Sequence, residues 1–446
     1  MIHPIEYRYG SNDMRKIFDR DSWVKYAVDV EFALLESLVE IGLFNIDKEM
    51  LREAHNRARE INYALVKKYE ERYKHELFAL IHAIYEVVDR EVGKALHVGM
   101  TSNDVIDNVL MLQIRDALRI ILKRLDEVIN LVKNFVERYK KQLVVGRTHG
   151  RYAVPITLGF RFLLYLDELL RSRGEIKNSL ERFIVGKLGG AVGSQVELYP
   201  EGAKIESLML QKLGLKPAST YLQIIPRDLI AYTLLRIIVL SSVLEHIANE
   251  IRVLSKSGID EVSEGFNMEQ VGSSVMPHKR NPVLSEKVCG LARYIRGLAP
   301  SILENIVFED ERDLRNSSLE RTLIPELFLL VDEQLITIRD ILESLIVNVK
   351  KCEVNLESAG YEIYSSLLLH IGVRNGGDRQ KIHERLKKIF LKQYKSIEEL
   401  YEAIKSDDFL VNYFNIDDLR MATDLNIYIS ACESKINQYL NNLNLE

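Results

Sequence analysis

Cysteine is scarce: three in 446 residues, Cys289, Cys352 and Cys432, with no paired spacing. That excludes a disulfide framework and a cysteine zinc site, and it fits a reducing compartment. Glycine (23) and proline (9) are thinly spread, so the chain has few places to turn and long elements are expected. No charge surplus stands out either. A formal net charge of -5 lacks the basic excess that marks a nucleic-acid partner, and none is expected. The opening MIHPIEYRYGSND has no apolar h-region, and no uninterrupted apolar run approaches the length of a membrane span. A cytoplasmic protein with no membrane partner is the expectation. Metal binding finds little support, because His75 and His82 share a helix face but no HExxH and no third ligand accompany them. The stretch GKLGGAVG (Gly186 to Gly193) has neither GxGxxG nor a P-loop Lys-Ser/Thr ending, and reads as a sharp turn after a helix. No GxSxG elbow surrounds Ser273 or Ser274.

What is present is helical pattern. With 47% apolar and 28% charged residues the chain has the means for a sizeable core. After TSND (Thr101 to Asp104), whose Ser, Asn and Asp offer caps, apolar residues step by three and four. They are Leu110, Ile114, Leu118, Ile121, Leu125, Val128, Val132 and Phe135, a bundle-type seam. Further long helices are expected to begin near Pro155, Pro226, Pro282 and Ser317, each proline in a first turn where its missing N–H costs nothing. The last should kink at Pro325. The spacing thus predicts an all-α protein: an elongated central bundle of five long helices over 104–352, with smaller helical end domains over 1–103 and 353–446. LLRIIVLSSVLEHIA (Leu234 to Ala248) is apolar nearly all round and must be enclosed. Two enclosures stand, a central place in a large monomer or burial against sister subunits, and a narrow bundle favours the second.

If long helices are the scaffold, chemistry belongs where they stop. Four polar breaks stand out: LHVGMTSND with His97, Thr101 and Ser102; GRTHGRYAVP with Arg147, Thr148 and His149; GSSVMPHKRNP, Gly272 to Pro282; and FEDERDLRNSSLER with Arg312, Ser317 and Arg321. They supply histidines for acid–base work, hydroxyl donors, and arginines suited to carboxylate or phosphate. Each has a plainer reading: a helix cap, a structural histidine, a solvated face.

GSSVMPHKRNP closely resembles the signature loop of the fumarase/aspartase superfamily, whose members release fumarate from a C–N or C–O bonded succinyl group. TSND and GRTHG resemble the two other shared regions, in order, so the resemblance runs from about His75 to about Arg321. MPHKRNP is similar to the adenylosuccinate lyase version of the loop. Arg8-Tyr9, KHE (Lys74 to Glu76), QIIPRD and ERDLRNSSLER resemble that family's nucleotide, histidine, glutamine and phosphate segments. The resemblance implies cleavage of adenylosuccinate to AMP and fumarate, and of the succinylcarboxamide ribotide SAICAR to AICAR, without a cofactor or metal. It also implies a homotetramer with a multi-helix core and active sites shared between subunits.

The reaction needs a base for a C–H beside a carboxylate, stabilisation of the resulting dianion, an acid for the departing amine, and grips for anions. By the resemblance Ser273 is the base, made competent by a closing loop that excludes water. Lys279 is the cation at the developing charge, and His149 is the general acid, oriented by Glu286. His75 and His97 fall at the site as binders of phosphate and carboxylate, His75 with a further claim to catalysis. Thr101 and Ser102 grip a carboxylate from a helix N-terminus. Arg8, Arg312, Ser317 and Arg321 hold the phosphate, and Gln223 the succinyl part. Tyr9, Lys74, Glu76, Thr148, Ser274 and Met276 complete the binding set. Asn281 has two readings, carboxylate donor or cap of the helix at Pro282. The pattern departs at Arg151 and Val154, where glutamines are usual, and in TDLNIYISACESKI, which lacks an expected Tyr-x-Gly. Two rivals stand beside this reading: another lyase of the superfamily, such as an argininosuccinate lyase or a carboxymuconate cycloisomerase, and a non-catalytic crystallin-like protein, against which the intact Ser273, Lys279, His149 and Glu286 set argues.

Overall fold

The structure is a computed structural model and describes residues 3–266, 275–276 and 278–443. Helices dominate it, as the periodicity requires. The elements that carry the discussion are α1 (Arg20–Glu40), α2 (Glu76–Val87), α3 (Ser102–Arg138), the strands β1 (Leu143–Thr148) and β2 (Arg151–Thr157), α4 (Leu158–Arg182), α5 (Arg227–Leu254), α6 (Val283–Arg296) and α7 (Arg315–Ser344). Two compact units divide the chain: the first takes residues 1–127, 169–245 and 288–337, the second 128–168, 246–287 and 338–446. The helices α3, α4, α5, α6 and α7 each contribute a stretch to both.

The expected seam of α3 is the buried one: from Ile114 to Val132 every named member is fully buried, and Phe135 nearly so. At its N-terminus Thr101 occupies the cap position, and Asp104 reaches back to accept the Thr101 backbone N–H at 2.8 Å, half of a capping box. The helix α5 is the apolar one. Its most apolar 18-residue window has a mean hydropathy of 1.6, enough by length and composition to cross a membrane, and 56% of that window is buried within the chain. Yet Tyr232 and Val239 on the same helix stay 52% and 59% exposed, so the single chain does not enclose it.

Two expectations need correction. Pro155 does not open a helix; it lies in β2, paired with Val145, and the helix begins three residues later at Leu158. The break GRTHGRYAVP is the centre of an antiparallel hairpin whose turn, His149-Gly150, has positive φ at both residues (52° and 74°), the type I′ geometry that matches strand twist. Ala153 and Val154 together oppose Gly146, a bulge that only glycine admits, since a Cβ there would meet the Val154 carbonyl oxygen at 2.4 Å. The helix after Pro282 is also shorter than expected. It ends at Arg296, where Gly297 and Leu298 donate to carbonyls three residues back, and a short helix, Ala299–Glu304, follows with Pro300 in its first turn. In contrast α7 continues through Pro325.

The second unit holds its own cores. Leu368, Ile382, Leu400, Leu410 and Leu419 belong to one among the short C-terminal helices, and Val145 of the hairpin packs with Leu356, Ala359 and Ile363.

Candidate active site

In the first unit the acidic start of α3 organises two of the expected site segments. Asp104 is fully buried, and each of its carboxylate oxygens takes two donors. Oδ1 accepts from Lys187 Nζ and from Gly189 N–H at 2.8 Å; Oδ2 accepts from Thr101 N–H at 2.8 Å and Gly190 N–H at 3.0 Å. Lys187 is fully buried as well, and its backbone is held by Asn108 on α3. The glycine-rich stretch is therefore a turn, as expected, but one wrapped around a carboxylate. It fixes the segment bearing Thr101 and Ser102, both half-buried at the helix start. Gln223 is tied in beside them, donating to the Ala191 carbonyl at 2.7 Å and accepting from Asn103 at 3.2 Å.

One helical turn on, Asp107 receives Arg227 in a two-point contact at 2.9 Å for each pair. The same guanidinium donates to Glu320 at 2.8 and 3.2 Å, and Asn316 adds a bond to Glu320 at 2.8 Å. Burial works against the Asp107 charge, but Arg227 outweighs it and holds that carboxyl below its ordinary value. For Glu320 burial prevails, and its carboxyl is raised. Arg312 stands near this group, donating to the Asp313 carbonyl and the Asn316 side chain. Burial and the like charge of Arg227 keep its guanidinium below the usual value.

The expected histidines of this unit differ in kind. His75 caps α2, its Nδ1 accepting the Phe78 N–H at 3.2 Å, so any proton it exchanges while capping is on Nε2. His82 stacks on Tyr69 and Tyr73 and meets Phe78 edge-on, in an aromatic cluster. Among the described residues no group of three His, Cys, Asp or Glu could hold a metal ion. His97 has φ of +60° and gives both its backbone N–H (3.0 Å) and its Nδ1 (2.7 Å) to the buried carboxylate of Glu31. Burial alone would lower its pKa, but the hydrogen bond and charge of Glu31, with Asp104 behind them, raise it above the ordinary histidine value.

A cavity of about 290 Å³ in the first unit is lined by Arg20, Trp23, Glu76, Ser317 and Arg321. Arg20 and Arg321 both pair with Glu76, the latter at 2.9 Å, and Arg20 lies over the faces of Trp23 and Tyr63. Ser317 and Arg321 of the expected phosphate set thus share one cavity, with Glu76 holding the Arg321 guanidinium. Arg8 and Lys74 are exposed, Lys74 in a left-handed conformation at the end of the helix before α2, and the Tyr9 carbonyl accepts from Arg15.

In the second unit Thr148 and His149 sit exposed at the hairpin tip. The guanidinium of Arg147, two residues earlier, is satisfied by fully buried Glu261 in a two-point contact at 2.7 and 3.1 Å. Ser273 and Ser274 lie outside the described residues. Met276 and Lys279 are exposed and linked by a turn, the Lys279 N–H donating to the Met276 carbonyl at 3.0 Å. Asn281 is half-buried; Glu286 is exposed in the first turn of α6. The N–H groups of Leu284 and Ser285 donate to Glu264, which caps α6 from outside the helix.

Sequence reasoning missed Glu31, Lys187, Asp107, Arg227 and Glu320 as partners. For Glu31 the signal is an acidic residue within VEFALL, and for Lys187 a cation in the glycine-rich GKLGG; Asp107, Arg227 and Glu320 stand beside other polar residues and carry no such signal.

A family described as Lyase matches residues 11–297. Adenylosuccinate lyase of Pyrococcus abyssi is 38% identical, over 94% of this chain and 93% of its own. The chain belongs to the adenylosuccinate lyase family. The family's enzyme from Archaeoglobus fulgidus is 35% identical over 98% of this chain and 97% of its own, and that from Methanocaldococcus jannaschii 32% over 99% and 96%. Among solved structures, fumarate lyase from Mesorhizobium sp. BNC1 superposes with a TM-score of 0.84 at 22% identity, over 97% of this chain and 98% of its own. The 3-carboxy-cis,cis-muconate lactonizing enzyme from Pseudomonas putida gives 0.82 at 21%, over 98% and 99%. Both show that the all-α fold is shared.

Proposed function

We propose that this protein cleaves adenylosuccinate to AMP and fumarate, and SAICAR to AICAR and fumarate, by β-elimination. The observation that carries the reading is identity of 32 to 38% with adenylosuccinate lyases over at least 94% of the chain. The signature loop ending in MPHKRNP supports it. In this reading Ser273 removes the proton beside the carboxylate, Lys279 and Asn281 meet the growing negative charge, and His149, oriented by Glu286, protonates the leaving amine. Exposure of His149, Lys279 and Glu286 fits residues that wait for substrate. Thr101, Ser102 and Gln223 take the succinyl carboxylates, while Arg8, His75, His97, Arg312, Ser317 and Arg321 take the nucleotide side. Tyr9, Lys74, Glu76, Thr148, Ser274 and Met276 belong to the same binding set.

The partners proposed are these small molecules and three further copies of the chain, in a cytoplasmic homotetramer with shared sites. Exposed Tyr232 and Val239 on the apolar α5 support the assembly. We also propose that the chain divides into three parts at 103 and 352.

The test is fumarate release from purified protein given adenylosuccinate, argininosuccinate or buffer, beside Ser273→Ala. Release from adenylosuccinate alone is expected, with kcat falling about 10²- to 10⁴-fold in the variant and KM little changed. Fumarate from argininosuccinate instead would overturn the substrate, and an unaltered kcat in Ser273→Ala would overturn the base.

A further inference from the structure

His97 is held more tightly than a binding residue on a loop requires. Its backbone is left-handed (φ +60°), a conformation that costs a non-glycine residue free energy and must be imposed by its surroundings. One carboxylate imposes it. Glu31, fully buried in the middle of α1, accepts the His97 backbone N–H on one oxygen (3.0 Å) and Nδ1 on the other (2.7 Å). An ionised carboxylate only accepts, so Nδ1 must carry a proton, and Nε2 is the one ring nitrogen left to act. A buried carboxylate is also costly without a cation, and the imidazolium is the cation that this contact offers. Asp104 of α3 also bears on the ring, and it is already paired with Lys187 of the glycine-rich turn.

We propose that Glu31 is a positioning residue that locks His97 as an imidazolium, presenting Nε2–H as a fixed donor to an anionic group of the substrate. His97 then binds an anion and takes no part in proton transfer, because giving up its proton would leave Glu31 buried without a counter-charge. The inference rests on the adenylosuccinate reading only for the substrate; the lock itself is a property of the chain. The anion is of the phosphate or carboxylate class, and His97 remains 22% exposed to meet it.

The experiment has two arms that do not require turnover. In the first, histidine ring nitrogens are ¹⁵N-labelled in the full-length protein and His97 is titrated in the parent and in Glu31→Gln, with His97→Gln used to assign the signal. The parent midpoint should lie above the ordinary histidine value and fall in Glu31→Gln. A parent midpoint at or below that value overturns the proposal even if the variant fails to fold, and so does a midpoint that Glu31→Gln leaves in place. In the second arm, inorganic phosphate and, separately, fumarate are titrated calorimetrically across pH. In Glu31→Gln one of them should bind about tenfold more weakly per unit of lost His97 pKa at alkaline pH and recover as pH falls. Glu31→Asp should keep part of the affinity. Weakening that is equal at every pH would mean that Glu31 is merely structural, and would overturn the lock. Failure of adenylosuccinate cleavage would leave both arms readable, so the two readings fail separately.

Discussion

Replacing Asp104 by Asn changes no shape, yet it should be among the most damaging substitutions near the site. Each Asp104 oxygen serves two donors: Lys187 Nζ and Gly189 N–H on one, Thr101 N–H and Gly190 N–H on the other. An amide has one acceptor oxygen, so whichever way it turns, its NH₂ faces two donors. Lys187 is fully buried, and stripping a buried ion of its partner costs about 3–5 kcal/mol, with about 1–3 kcal/mol more for a stranded N–H. Lys187→Met removes the other partner, but the carboxylate keeps three backbone N–H donors, so its cost should be smaller by about 2 kcal/mol. The ranking is thus fixed by the hydrogen bonds rather than by the loss of one charge pair, which both variants share. Hydrogen exchange read by mass spectrometry on peptides spanning 97–104 and 186–195 checks it. A local loss of about 4 kcal/mol would speed exchange about a thousandfold in Asp104→Asn, and Lys187→Met should respond less in both peptides. If Lys187→Met opens them as much as Asp104→Asn, the carboxylate is not the hub and the reasoning fails.

Other consequences follow from the same geometry. Gly146→Ala drives a Cβ to 2.4 Å from the Val154 carbonyl and should lower stability by about 1–3 kcal/mol; Gly150→Ala meets no atom within 4 Å and should cost only about 1 kcal/mol, for its positive φ. Urea midpoints at one fixed protein concentration compare the two. Arg227→Met leaves Asp107 and Glu320 buried side by side, and about 3–5 kcal/mol should be lost at neutral pH. That deficit should shrink on acidification as the carboxylates take up protons, whereas a pH-independent deficit would point to packing alone. For His97 the folded pKa is raised, so its stabilisation is fully present below the unfolded histidine value and is lost as pH rises through the folded one. The difference in urea midpoint between the parent and Glu31→Gln should therefore be largest below pH of about 6.5 and narrow above the folded midpoint.

What the sequence made legible is what repeats along it. The seam of α3 shows eight apolar residues at helical steps, and periodicity over so long a segment resists local accidents. The hairpin is short and weakly patterned, although its signals are present. Val144, Val145, Tyr152, Val154 and Ile156 flank a His-Gly pair. Pro155 suits a first helical turn as well as a strand, and that ambiguity masks the two-residue turn five residues before it. The candidate site segments stand out by motif, and three of the proposed residues, His149, Lys279 and Glu286, lie exposed in one unit. The charge partners were out of reach for a different reason. Asp104 meets Gly189 across 85 positions and Arg227 meets Asp107 across 120, and no local pattern encodes a contact between segments so far apart.

Those distant partners explain why buried charge, and not apolar packing alone, holds the segments at the start of α3. A loop beside a helix start carries backbone N–H groups with no partner of their own, and apolar side chains cannot satisfy them. Thr101, Gly189, Gly190 and Ile225 each present such a group, and each finds a carboxylate oxygen of Asp104 or Asp107. The carboxylates in turn need Lys187 and Arg227, because an isolated buried anion would be too costly. A hydrophobic replacement of either pair could match its stability, since buried ion pairs gain little net free energy. It could not specify which N–H of the glycine-rich turn faces α3, and a shift of one residue would move Thr101, Ser102 and Gln223 relative to one another. The buried charges therefore set register, and the residues proposed to grip carboxylates inherit their positions from it.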